Sequence, residues 1–90
     1  THLKIMNDET KKKYYQIIVD TWRMFTQYAA AVNPADSYME IVISKFLEYE
    51  QKWKYTPFWS FAGRECSAKL QEIERIWKRK RKELENEQNS

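Results

Sequence analysis

The apolar pattern over residues 14–32 constrains this chain more than any other stretch. Plotted at about 100° per residue, Tyr15, Ile18, Trp22, Phe25, Ala29 and Val32 form one stripe at heptad spacing. Tyr14, Ile17, Met24 and Tyr28 widen it on one side and Val19 on the other, which leaves Lys12, Lys13, Gln16, Asp20, Arg23 and Gln27 for water. A helix apolar over more than half its circumference needs two neighbours. This segment is therefore expected to be the element on which the rest of the chain packs.

The boundaries of that helix and the source of its neighbours can be read from local chemistry. Asn7 or Asp8 can cap it, with Asp8 and Glu9 favourably placed in the first turn, and Asn33 before Pro34 ends it, giving a helix over about 8–32. Asp36 or Ser37 can cap a second helix over about 37–54. Tyr38, Met39, Val42, Ile43, Phe46, Leu47, Tyr49 and Trp53 share one side of it. Ile41 on the polar face and Glu50 inside the apolar arc break the pattern. Glu50 is expected to be a rim carboxylate paired with Lys54 or a tyrosine hydroxyl, with a functional acid as the alternative.

Thr56 followed by Pro57 is a cap-then-proline signal for a third helix over about 57–84. Trp59, Gly63, Cys66, Leu70, Ile73, Trp77 and Leu84 form its stripe, flanked by Phe58, Ala62 and Ile76, while Phe61 projects from the opposite side. Gly63 costs about 1 kcal/mol against alanine in a helix, so it signals close backbone approach or a kink. The polar end, residues 86–90, is expected to fray.

One glycine, two prolines and no period-two alternation leave little room for hairpins. The fold class expected is all-α: an antiparallel three-helix bundle, up-down-up, with a long, basic C-terminal helix, as one domain over residues 7–85. Aromatic residues at 16% of the chain bury a large area from few positions, which a domain this small needs. Residues 1–6 are expected to lie outside the domain as a disordered or added leader; if Met6 is the natural start, residues 1–5 are the added part.

With one histidine and one cysteine, His2 and Cys66, the chain lacks the donors for a metal centre and the partners for histidine-based nucleophilic catalysis. It has no glycine-rich phosphate loop and no paired-carboxylate constellation. No enzyme, cofactor or metal is expected, and Cys66 reads as a small buried hydrophobe. A lone cysteine suits a reducing cytoplasm, and no apolar run approaches the ~18 residues of a membrane span.

Two surfaces remain. Lys78, Arg79, Lys80, Arg81 and Lys82 follow Trp77 without interruption, a run that could track a phosphate backbone or complement a helix C-terminus. Ile41, Tyr55, Phe58, Trp59 and Phe61 are the candidate protein interface, since exposed aromatics anchor such contacts. The alternative is that they complete the core. A homodimer would use the same residues.

Tyr14-Tyr15-Gln16-Ile17-Ile18-Val19-Asp20-Thr21-Trp22-Arg23-Met24-Phe25, with Pro57-Phe58 and Leu70-Gln71-Glu72-Ile73-Glu74-Arg75, resembles small helical proteins carried by prophages and integrative mobile elements of Gram-positive gut bacteria. The resemblance implies an accessory protein that binds a host or phage protein. The function expected is thus a non-enzymatic protein-binding module, an adaptor or inhibitor. The alternative is a small basic nucleic-acid-binding protein using the third helix, as a dimer.

Overall fold

The computed structural model describes residues 7–88; the expected leader at 1–6 and the last two residues lie outside them. The described chain is all-helical: α1 spans Asp8–Ala30, α2 Asp36–Lys52 and α3 Trp59–Gln88. The helix runs on through positions 86–88, where fraying was expected.

Asn7 caps α1 as expected, its side-chain oxygen accepting the Thr10 amide at 2.8 Å. The cap of α2 is neither Asp36 nor Ser37. Ala35 takes the extended cap conformation without a side-chain bond, and Asp36 instead holds Arg81 of α3. Between α1 and α2, Asn33 Oδ1 accepts the Ala35 amide at 2.9 Å and fixes the turn around Pro34.

Thr56 does not open α3 directly. Its hydroxyl donates to the Trp53 carbonyl at 2.6 Å and accepts the Phe58 amide at 3.1 Å. The helix begins two residues beyond Pro57, at Trp59. Tyr55, at φ 67°, supplies the left-handed residue that a glycine usually provides after a helix.

The core is Ile17 and Thr21 of α1, Val32, then Met39, Val42, Phe46 and Tyr49 of α2, and Ala62, Cys66 and Ile73 of α3. The hub is α3, which packs along both other helices, and not α1 as the apolar arc suggested. Small side chains at Ala62 and Cys66 let both neighbours approach α3 closely. Contact between α1 and α2 runs through polar-tipped aromatics. Tyr38 donates to the Tyr28 carbonyl at 2.6 Å, Tyr49 donates to Asp20 at 2.8 Å, and the Tyr28 and Phe46 rings lie 6.4 Å apart. Burial, then the bond to Asp20, pushes the Tyr49 phenol well above its ordinary range.

Thr21 is the one polar side chain fully buried among the described residues, and its hydroxyl donates to the Ile17 carbonyl one turn back at 2.7 Å. A polar residue can therefore sit in the buried stripe of α1. Part of the apolar stripe sits outside instead: Tyr15, Ile18 and Trp22 are 68%, 45% and 57% exposed.

Candidate functional site

The five basic residues after Trp77 are divided by the helix among different tasks. α1 has no basic residue in its last turn, so the negative end of its dipole and the carbonyls beyond it need cations from elsewhere. The basic run of α3 brings them. Lys80 donates to the Val32 carbonyl at 3.1 Å and Arg81 to the Pro34 carbonyl at 2.7 Å. Arg81 also pairs with Asp36 and lies over the Trp77 ring at 4.7 Å, while the Trp77 indole donates to the Ala35 carbonyl at 3.1 Å. Lys78 pairs with Glu74 one turn back at 3.2 Å. Arg79 and Lys82 make no hydrogen bond or ion pair among the described residues; Arg79 acts only through its field on Glu72.

The expected aromatic interface is dispersed in the same way. Phe58 and Phe61 are half-buried and meet Tyr14 edge-on at 5.1 and 4.9 Å, with Trp53 against Phe58 at 5.8 Å. Both close the end of the bundle where α1 begins, which corrects the reading of Phe61 as a projecting residue. Ile41, Tyr55 and Trp59 are exposed, Tyr55 at 91%. Ile41 lies about 16 Å along the axis from the end of α2, and Tyr55 lies beyond that end, so the two belong to no common patch.

The structure gathers two surfaces that the sequence did not mark as candidates for binding. The first is the outer face of α1. Tyr15, Ile18 and Trp22 follow one another at helical spacing, and the Trp22 ring lies 5.7 Å from Phe25 as the face turns toward the core. Periodicity places these three residues in the centre of the expected core-facing stripe; the structure turns that stripe outward and buries Ile17, expected at its flank, instead.

The second is a groove between α2 and α3. Its larger part, about 710 Å³, is lined by Glu50, Trp59, Gly63, Arg64, Ser67 and Gln71, among others. A smaller part of about 260 Å³ shares Ser67 and Gln71 and adds Met39, Ile43, Leu70 and Glu74. The expected partners of Glu50 are elsewhere: Lys54 lies over the Tyr55 ring at 5.3 Å, and no tyrosine hydroxyl reaches it. Glu50 has no hydrogen bond or ion pair among the described residues, and burial alone raises its carboxyl above the ordinary glutamate value.

Gly63 forms the floor under Glu50. A methyl group added there would stand 3.9 Å from Glu50 Oε1, ordinary van der Waals contact, so close helix approach does not account for this glycine. Cys66, one turn along, is fully buried, its thiol 3.9 Å from the Phe46 carbonyl. Burial, with Glu50 adding to it, pushes that thiol up to about 12. No helix among the described residues is long and apolar enough to cross a membrane. No protein-family model, curated protein or solved structure matches the chain.

Proposed function

We propose that this chain is a small non-enzymatic protein-binding module, an adaptor or inhibitor of the cytoplasm, built as an antiparallel up-down-up bundle with a basic C-terminal helix. The bundle order is supported by the pairing of Tyr38 with Tyr28 and of Tyr49 with Asp20, in which a later residue of α2 meets an earlier residue of α1. The observation that carries the functional reading is the outer face of α1. Tyr15, Ile18 and Trp22 offer two large aromatics and a branched aliphatic on one rigid helix, the residue types that dominate protein interfaces at low entropic cost. Together they expose roughly 350 Å², about half of what one partner hides in a standard interface, and the remainder would come from the rim. The resemblance to prophage and mobile-element proteins fits a partner in the host or in a phage.

The nucleic-acid reading is the weaker one. Lys80 and Arg81 are occupied in joining α3 to the α1–α2 connection, and Lys78 is paired. Two cations, Arg79 and Lys82, are too few for strong backbone tracking, since affinity grows with the number of phosphates neutralised.

The test compares the parent chain with a Tyr15→Ala/Trp22→Ala variant as bait in lysate of a Gram-positive host. A protein retained by the parent and lost by the variant, with Tm unchanged between the two baits, is the expected result. Identical retention by both baits removes the α1 face from the proposal. Binding of duplex DNA that weakens steeply with salt and survives the α1 substitutions would promote the nucleic-acid reading instead.

A further inference from the structure

The groove between α2 and α3 carries two features that the fold does not use. The first is Gly63, the only glycine of the chain, in the interior of a long helix. It sits where alanine would be more stable by about 1 kcal/mol and would fit without a clash. The second is Glu50, whose carboxylate overhangs that glycine without a counter-ion. Its situation differs from that of the acids around it. On α3, the helix it overhangs, Glu65, Glu72 and Glu74 each hold a cation, respectively Lys69, Arg75 and Lys78, and Glu40 of α2, which holds none among the described residues, is exposed to solvent where Glu50 is half-buried. Arg64 lines the same wall but does not come within 4.0 Å of Glu50, and Glu74 at the far end is already paired.

We infer that this groove receives a helical segment of another protein. An arginine or lysine on that segment reaches Glu50, and an aliphatic residue two turns away seats against Ile43 and Leu70. Charge selects the cation. Glu50 is a half-buried carboxylate, and a guanidinium or ammonium would restore in the complex what burial removed from it. The floor selects a helix. Gly63, Ser67 and Ala68 present almost no side chain, so a second helix can lie close against α3 there, as small residues permit wherever helix backbones approach. The spacing follows from the two parts of the groove. Gly63 lies under the acid and Leu70 in the apolar part, seven residues and about 10 Å apart along α3. A small free cation would fill only the first part. This site is independent of the outer face of α1, and either can fail without the other.

The experiment is an amide chemical-shift titration of the ¹⁵N-labelled full chain with an alanine-rich helical peptide carrying one arginine and one leucine two turns apart. The expected result is saturable shifts at the Gly63, Ser67 and Gln71 amides, with Tyr15 and Trp22 unmoved. Replacing the peptide arginine by neutral citrulline weakens binding about tenfold or more. Glu50→Gln abolishes that preference while leaving circular dichroism and Tm at parental levels or above, because Glu50 holds no partner in the fold. Arg64→Ala tightens binding, since it removes the one cation on the same wall that could compete.

Four outcomes overturn the inference. One is equal binding of the arginine and citrulline peptides. The second is an arginine preference that persists in Glu50→Gln. The third is n-butylguanidinium binding as tightly as the peptide, which would make this a small-cation site. Shifts confined to Tyr15, Ile18 and Trp22 would also overturn it, and would support the α1 face instead.

Discussion

Two adjacent isoleucines of α1 have opposite fates: Ile17 is fully buried and Ile18 is 45% exposed. Around them the inner face continues through Thr21 and Tyr28 into the core, while the outer face continues through Tyr15 and Trp22 into solvent. The outer face is the more apolar of the two by composition, since the inner one contains the threonine. Periodicity reports which residues are apolar; the number and position of neighbours decide which of them are covered. With α3 as the hub, α1 touches its partners over one side only, and the surplus apolar surface is free for something outside the chain.

The largest expected effect tests that contrast directly. Ile17→Ala should destabilise the fold by about 2–4 kcal/mol, the cost of a buried aliphatic truncation with its cavity. Ile18→Ala should stay within about 0.5 kcal/mol of the parent. Urea denaturation of both variants measures the difference. Comparable losses would mean that the outer face is covered in solution, and a concentration-dependent transition would then identify a second copy as the cover.

Much of the fold was legible for reasons the same pair illustrates. The helix count, the Asn7 cap and a break close to Asn33 and Pro34 follow from local chemistry, although α1 stops at Ala30, two residues short of the expected end, and leaves Val32 in the connection. The choice of hub was not legible. It depends on how closely helices approach, which the small residues Ala62 and Cys66 of α3 determine and the breadth of an apolar arc does not. Phe61 was misplaced because a helix wheel treats each helix as isolated, whereas Tyr14 of α1 reaches over to meet that ring. The groove was visible only as two anomalies, Glu50 in an apolar arc and Gly63 in a helix. Each has an ordinary explanation alone, and only the fold puts one above the other.

The second comparison lies within the basic run, between Arg81 and Arg79. Two residues apart in one helix, they differ in that Arg81 holds the Pro34 carbonyl, Asp36 and the Trp77 ring, while Arg79 holds nothing directly. Arg81→Ala should cost about 0.5–1.5 kcal/mol, the net worth of the bond to the Pro34 carbonyl with the stacking on Trp77; the pair with exposed Asp36 adds little because water replaces it. Arg79→Ala should be neutral within about 0.5 kcal/mol. Thermal unfolding of the pair decides whether the run acts mainly as a clamp on the α1–α2 connection. Equal and negligible effects would return all five residues to the pool of surface charge.

A smaller effect of opposite sign is expected at the groove floor. Gly63→Ala should raise stability by about 0.4–1 kcal/mol, because the methyl group fits and the unfolded chain loses freedom. In the same variant the arginine peptide should bind more weakly, since the floor rises toward the incoming helix. Stability gained and binding lost in one substitution would separate what this position does for the fold from what it does for a partner. A loss of stability would mean that the helix needs the glycine, and the groove argument would lose one of its two supports.

The smallest effect concerns Glu50, whose carboxyl burial holds above the ordinary glutamate value of 4.5. The folded chain keeps this proton to a higher pH than the unfolded chain does. Between the ordinary and the raised value the folded state therefore binds more protons, and the contribution of Glu50 to stability falls as pH rises through that window. Below it the acid is neutral in both states and costs nothing; above it the full penalty of an unpaired, half-buried carboxylate applies. Glu50→Gln removes the ionisation, so the variant should match the parent near pH 3.5 and gain on it from about pH 4.5 upward, a trend measured as the difference in Tm across that range. A variant that instead falls behind the parent as pH rises would show a carboxylate already paired with a cation in solution. Arg64 is the one within reach of the same wall, and that pairing would close the groove to an incoming arginine.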